Sequence, residues 1–312
     1  MTHTEHKNGD IWLDIDGEPI QAHGGGMLLH QGVYYWYGEN KDSENAVGAE
    51  GALLDRVDVI GVSCYSSTDL LNWKNEGVVL PAVSDNPEHD LHPSKVAERP
   101  KVIFNAKTGK FVLWLHIDTG DYKYARTGVA VSDSPTGIFT YHRSFQPLGA
   151  DSRDMTVYQD DDGVAYLLHS SNWNATLHIA RLSDDYLNVT RVSVLAFEKG
   201  YREAPAIFKR NGRYYLISSG CTGWNPNPAQ VAVAERVLGE WHVQGDPCEG
   251  EGAETTFHTQ STFVIPGKDG KFVLMTDRWR PKDLRQSGYA WLPIDWDGDR
   301  LILRWRDTWS GL

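Results

Sequence analysis

Cysteine is scarce in this chain. Its 312 residues include only Cys64, Cys221 and Cys248, with no CxxC pair and no even set. A disulfide framework or a zinc site is therefore not expected, and the thiols should be reduced. Cationic side chains are also in short supply: 30 Lys and Arg stand against 42 Asp and Glu, a formal charge of −12. A nucleic-acid backbone or an anionic membrane calls for clustered cations, so neither is expected as a partner and a neutral ligand fits better. No stretch of about 18 apolar residues is present to cross a bilayer as a helix. The opening segment, Met1 to Asp10, has no apolar core for export. The expected location of the chain as it stands is therefore the cytoplasm, with secretion after loss of a signal as the alternative. No Pro/Ser-rich linker divides the chain, and no segment of a dozen residues keeps a helical period. A single all-β domain over residues 1–312 is expected.

Aromatic residues, by contrast, are plentiful, with 12 Trp, 14 Tyr and 9 Phe against 4 Met. Sugar-binding clefts use such residues, although β-sheets favour them in any case. One phrase recurs five times, each copy placing a polar residue about ten positions ahead of a Gly-led aromatic strand. The polar residues are His23, Glu98, Asp154, Glu203 and Gln260. The strands open at Gly32-Val-Tyr-Tyr-Trp, Gly109-Lys-Phe-Val-Leu, Gly163-Val-Ala-Tyr-Leu, Gly212-Arg-Tyr-Tyr-Leu and Gly270-Lys-Phe-Val-Leu. Each copy reads as a hairpin whose turn is marked by Gly, as at Asp160-Asp-Asp-Gly163, Thr108-Gly109 and Asp269-Gly270. Asp160-Asp-Asp-Gly163 lacks the alternating ligands and distal Glu of a calcium loop. Further strands are expected over 67–73, 131–139 and 234–241, and long loops over 40–58 and 82–95. One four-stranded sheet per glycine gives five sheets, which predicts a five-bladed β-propeller.

Radial sheets bring the five polar residues to one axis. Glu98, Asp154 and Glu203 share a register in three successive repeats. Converging carboxylates raise one another's pKa, so that one keeps its proton as an acid while its neighbours stay charged. Cleavage of a glycosidic bond uses such a set.

These residues resemble glycoside hydrolase family 43 over nearly the whole chain. Arg153-Asp-Met-Thr-Val-Tyr-Gln-Asp-Asp-Asp-Gly163 is similar to the family's third-blade strand, whose Asp tunes and orients the acid. Tyr201-Arg-Glu-Ala-Pro-Ala-Ile-Phe-Lys-Arg-Asn-Gly212 is similar to the fourth-blade strand, whose Glu is the general acid. Glu98-Arg-Pro-Lys-Val resembles the second-blade phrase, and Ser134-Pro-Thr-Gly137 its outer turn. The first blade departs from the pattern. Where the family carries an Asp as the base that activates water, this chain has Gln21-Ala-His-Gly-Gly-Gly26 and no acid. That phrase, followed by Tyr34-Tyr-Trp-Tyr-Gly-Glu-Asn-Lys41, is similar to the branch containing exo-β-1,3-galactanases.

The resemblance implies an inverting exo-acting enzyme that releases galactose from β-1,3-galactan. In it Glu203 is the acid and Asp154 its orienting partner. Gln260, in His258-Thr-Gln-Ser-Thr-Phe263, holds the attacking water, and either a carboxylate such as Glu98 helps to take its proton or Gln260 acts as a transient imidic acid. The acid is then expected 6.5–9.5 Å from the water-holding group. Glu39, Asn40, Tyr122 and Thr222 are expected to bind sugar hydroxyls, with Trp224 and Trp173 stacking on a ring. His23 is a candidate either for the pocket floor or for a structural bond where the ring closes. Other members place a His where Gln260 stands, within reach of a central metal, so no metal and no cofactor are expected here. β-Galactofuranosidase, α-L-arabinofuranosidase or β-xylosidase activity is the alternative on the same fold. A propeller that binds sugar without cutting it is the alternative from another class. Oligomeric state is left open by the sequence.

Overall fold

Short segments of alternating polarity can bury one face each, and they do so as strands. The computed structural model describes residues 2–48, 52–267 and 270–312, which hold strands and short 3-10 turns but no α-helix. The main sheets number five, antiparallel among their main strands. The first contains His23–His30, Val33–Glu39, Gly61–Ser67 and Lys74–Pro81. Val96–Asn105, Lys110–Asp118, Arg126–Ser132 and Thr140–Phe145 form the second. The third holds Met155–Gln159, Ala165–Ser171, Thr176–Leu182 and Val189–Ala196. Arg202–Arg210, Arg213–Gly220, Gln230–Ala234 and His242–Gly245 make the fourth. The fifth runs from Gln260–Pro266 through Phe272–Arg278 and Gly288–Asp297 to Arg300–Arg304, with Cys248–Glu249 added parallel at its edge. The opening strand of each sheet packs against that of the next, and the fifth packs against the first. The sheets are therefore blades around one axis, in a five-bladed β-propeller.

The five glycines that lead the repeats, Gly32, Gly109, Gly163, Gly212 and Gly270, all have φ between 69° and 81°. No neighbour lies close to where their side chains would be. Backbone conformation, not space, selects glycine at these turns. Asp269 and residues 49–51 of the expected 40–58 loop lie outside the described residues. The rest of that loop includes a small hairpin, Asn45–Val47 against Leu53–Val57.

The segments 67–73, 131–139 and 234–241 are corrected from strands to the bends between the third and fourth strands of their blades. In the first, Ser67 Oγ accepts the Leu70 N–H and Asp69 Oδ1 accepts those of Leu71 and Asn72. Such local side-chain bonds favour a turn over a ladder. The aromatic residue that made these phrases read as strands is an anchor in two of them. Trp73 and Phe139 are both buried.

Most of the tryptophan is structural. Trp12, Trp36, Trp73, Trp291 and Trp309 gather with Tyr289 between the first and fifth blades. Their rings meet largely edge to face, as in Trp36–Trp73 at 5.4 Å and 68°, an arrangement adding about 0.5–1.5 kcal/mol per pair beyond burial. The two ends of the chain meet over this seam, where His6–Lys7 pairs with Thr308–Trp309.

At the opposite extreme of polarity, His169 in the third blade is fully buried with neither ring nitrogen bonded. Burial, helped by the neighbouring His178, pushes its pKa down to about 3. The unfolded chain takes up this proton below about 6.5, whereas the folded chain refuses it until about 3. Stability carried by neutral His169 is therefore present above 6.5 and lost as pH falls toward 3. At pH 5 the loss amounts to about 2 kcal/mol. Urea unfolding of His169→Asn should show a smaller fall in stability between pH 7 and pH 5 than the parent chain shows.

Candidate active site

The opening strands do not reach the axis as regular ladders. Register breaks between His23 and Gly26, Glu98 and Lys101, Glu203 and Ala206, and Ser261 and Phe263. Just after three of the leading residues the backbone turns left-handed: Gly24 has φ 56°, Arg99 55° and Ala204 52°. A bulge of this kind re-aims side chains, so two consecutive residues face the same way. Both Glu98 and Arg99 consequently enter one cavity of about 370 Å³ at the axis, which strict alternation would forbid.

That cavity brings together Glu98, Asp154, Glu203 and Gln260 from four different blades. Glu39, Tyr122, Trp173 and Trp224 also line it. Trp173 is 60% exposed at the rim and covers the Arg153 guanidinium at 4.1 Å, while Trp224 meets Trp279 edge to face.

Two expected sugar contacts, Asn40 and Thr222, are corrected, and His23 takes the structural one of its two expected roles. His23 is fully buried, with Nδ1 3.1 Å from Asp277 Oδ1 and Nε2 3.2 Å from the Tyr289 hydroxyl. It ties the first blade to the fifth. Asn40 lies beside the cavity, its Nδ2 donating to Ser63 Oγ. The Thr222 hydroxyl is used within its own loop, between the Asn225 carbonyl and Asn227 Nδ2.

Residues absent from the sequence reading complete the wall: Arg99, His116, Arg153, Asn174, Cys221 and Trp279. Arg99 is the hub. Nη2 reaches Gln260 Oε1 at 2.6 Å and Asp154 Oδ2 at 3.0 Å, and Nη1 donates to the Ser261 carbonyl. Its backbone N–H donates to Glu39 Oε1. Burial opposes its charge, yet Asp154, Glu39, Asp277 and Glu203 raise its pKa. Behind it, Lys101 Nζ donates to the carbonyls of Gly24 and Arg99, and burial with the Arg99 charge pushes its pKa down to about 7.

The carboxyl groups divide sharply. Burial and then the Asp154 charge push Glu203 up to about 8. Burial also works against the charge on Glu98, but His116, Lys41 and Tyr122 outweigh it and hold the group down at about 2. His116 Nδ1 stands 3.3 Å from Glu98 Oε2, and the Tyr122 hydroxyl donates to Glu98 Oε1 at 3.0 Å. Burial raises the pKa of Glu39, against the pull of its ion pair with Lys41 at 2.7 Å. One carboxyl thus keeps its proton at neutral pH while another stays ionised in the same cavity, which is the division of labour that acid–base chemistry requires.

Gln260 does not stand apart from the acid as expected. Its Nε2 donates to Glu203 Oε1 at 3.1 Å and to Ser219 Oγ at 3.0 Å, well short of 6.5–9.5 Å. Oε1 accepts from both Arg99 and Trp279 Nε1. Two donors and two lone pairs are all that an amide offers, so none is left for a water. The strands bearing Gln260 and Glu203 are neighbours in the ring, and this places the two side chains together.

Ligand atoms of Glu98, His116 and Asp154 lie within 4.8 Å of one another, a spacing that a metal ion can bridge. Their charges are already answered by protonated His116, Arg99 and Lys41. A divalent ion would have to take the proton from His116, whose pKa, against the effect of burial, Asp118 and Glu98 raise to about 9. It would also stand beside the Arg99 and Lys41 cations, so these residues do not fit one.

Comparison with known proteins follows the same lines. The profile of glycosyl hydrolases family 43 matches residues 27–284. A solved family 43 β-1,3-galactosidase holding galactodeoxynojirimycin is 42% identical, over 98% of this chain and 100% of that one, with a TM-score of 0.89. An exo-β-1,3-galactanase from Phanerochaete chrysosporium, solved with β-1,3-galactotriose, is 38% identical over 98% of this chain and 68% of that one, also with a TM-score of 0.89. Among curated proteins, a β-D-galactofuranosidase of Aspergillus niger is 28% identical over 225 residues, 66% of this chain. The alignment spans 62% of that relative's length.

Because the Asp154 charge helps to keep the proton on Glu203, Asp154→Asn should lower the Glu203 pKa. Carbon-13 NMR of labelled glutamate carboxyls should show one group titrating near pH 8 in the parent chain and at lower pH in the variant. An unmoved titration would refute the coupling.

Proposed function

This chain belongs to the family 43 glycosyl hydrolases, and on that premise we propose that it removes galactose from the non-reducing ends of β-1,3-galactan with inversion. One observation carries the reading: protonated Glu203 and ionised Glu98 share a cavity of sugar size. The likeness over nearly the full chain to a β-1,3-galactosidase and to an exo-β-1,3-galactanase supports the choice of sugar and linkage.

In this mechanism Glu203 gives its proton to the departing glycosidic oxygen. Asp154, held by Arg99 and by the Ala204 N–H at 2.9 Å, supplies the charge that keeps Glu203 protonated. Water attacks the anomeric carbon from the opposite face of the ring, and Glu98 accepts its proton. Gln260 can hold that water only by releasing Glu203 or Ser219, so it serves to orient the acid. Asn174 donates to Glu203 Oε2 and leaves its buried Oδ1 without a partner, an acceptor for a sugar hydroxyl. Glu39 and Tyr122 line the cavity beside Glu98, and Trp173 and Trp224 offer flat apolar faces to a galactose ring.

The curated galactofuranosidase favours a second reading, in which the same acid and water act on a five-membered ring. Incubation with β-1,3-galactobiose and with an aryl β-galactofuranoside separates the two. Galactose should appear from the first, initially as the α-anomer by proton NMR. Glu203→Gln should lower kcat on the disaccharide by about 10²–10⁴-fold while leaving its binding intact. Release from the furanoside alone, or β-galactose as first product, would refute the reading.

A further inference from the structure

Glu98 is not an isolated carboxylate. It lies in register with His116 on the adjacent strand of the second blade, and behind His116 stands Asp118 two residues further along. His116 Nε2 is 2.9 Å from Asp118 Oδ2, and Nδ1 is 3.3 Å from Glu98 Oε2. His116 and Asp118 are at most 1% exposed. Asp118 is itself fixed, because Oδ1 accepts the N–H groups of Thr119, Tyr124 and Ala125, each at 2.9 Å. A line of carboxylate, imidazole and carboxylate therefore runs from a buried backbone nest to the catalytic cavity. Nothing in the packing of the blade calls for three ionisable groups here, since apolar residues of similar volume are commonly at least as stable.

We propose that His116 and Asp118 are positioning residues for removal of the water's proton, acting through Glu98 as one charge-paired unit. The proposal rests on the inverting reading of the cavity given above. A lone pair of water forms the new bond to the anomeric carbon as the glycosidic bond breaks. That bond's electrons go to the leaving oxygen, which takes the proton of Glu203. The water's proton passes to Glu98, while His116 keeps its own proton, held toward Asp118. Solvent then returns a proton to Glu203 and removes one from Glu98. His116 Nδ1 makes no hydrogen bond in the structure, so its 3.3 Å approach to Glu98 is an ion-pair contact, of a kind that often closes to a hydrogen bond only in the substrate complex. With imidazolium between two carboxylates the unit carries one negative charge, and accepting the proton makes it neutral. Lys41, Tyr122, Glu39, Asp154, Glu203 and Arg99 are the other ionisable groups facing Glu98. All are retained in the variants below.

His116→Gln and Asp118→Asn test the proposal with β-1,3-galactotriose as substrate, beside Glu98→Ala. Both positioning variants should lose about 10²-fold in kcat, the scale of a misplaced catalytic group, with KM unchanged. The acid limb of kcat should move to higher pH, because Glu98 loses the cation that favours its ionised form. Azide brings no proton to remove, so it should restore turnover in Glu98→Ala and in His116→Gln, giving α-galactosyl azide. If Asp118→Asn fails to fold, as its melting curve would show, His116→Gln alone decides. Rescue of Glu98→Ala beside a His116→Gln enzyme with parental kcat and acid limb overturns the positioning unit and leaves the inverting reading standing. Failure of azide to rescue Glu98→Ala removes Glu98 from the water's proton transfer and overturns the proposal, while the inverting reading is decided separately by the product anomer. Activity abolished by EDTA and restored by calcium would also overturn the proposal, assigning Glu98, His116 and Asp154 to a metal.

Discussion

A single buried guanidinium organises the centre of this propeller. It reaches Asp154 on the third blade and Gln260 and Ser261 on the fifth, while the Arg99 backbone N–H donates to Glu39 on the first. A charge removed from water is tolerated only when opposite charge and full hydrogen bonding surround it. The carboxylates that meet this need are also the ones that line the reaction cavity. Without the cation, Asp154 would lose its ion pair and the Gln260 oxygen one of its two donors. The arrangement thus couples ring closure to chemistry: the blades that must meet for the fold are held by the groups that must meet for catalysis.

Polarisation of the two carboxyl groups follows from where each stands relative to that cation and to His116. Burial disfavours a charge on Glu203, and the Asp154 charge beside it adds to the effect. Glu98 is no less buried, but it faces an imidazolium and an ammonium group. Identical side chains therefore take opposite protonation states through their neighbours alone. Tyr122 adds to the difference by donating to Glu98.

Much of the architecture was legible in the sequence because the turns demand glycine. Five glycines at positive φ mark the five hairpins, and the polar residue ahead of each falls at the axis end of its blade. Glu98, Asp154, Glu203 and Gln260 were found in this way. Arg99 was not, because period-2 alternation sends it away from Glu98, and only a bulge reverses that. His116 was legible in principle, since hairpin register places it opposite Glu98. His23 holds the matching position of its repeat, but Asp277 and Tyr289 enclose it, which decides between its two expected roles in favour of the structural bond. The bends at 67–73 and 131–139 misled because a buried aromatic at the end of a turn has the same composition as the start of a strand.

Gly24 carries one more implication. A Cβ there would lie 2.1 Å from Glu39 Oε1, so the carboxylate of the second strand occupies the volume that a side chain on the first would need. An acid at position 24 and an acid at position 39 are thus alternative tenants of one site. Only the first glycine of the triplet answers to that carboxylate: a side chain at Gly25 would strike the Tyr37 carbonyl and one at Gly26 the Lys101 stem, so three different neighbours keep this stretch of backbone bare.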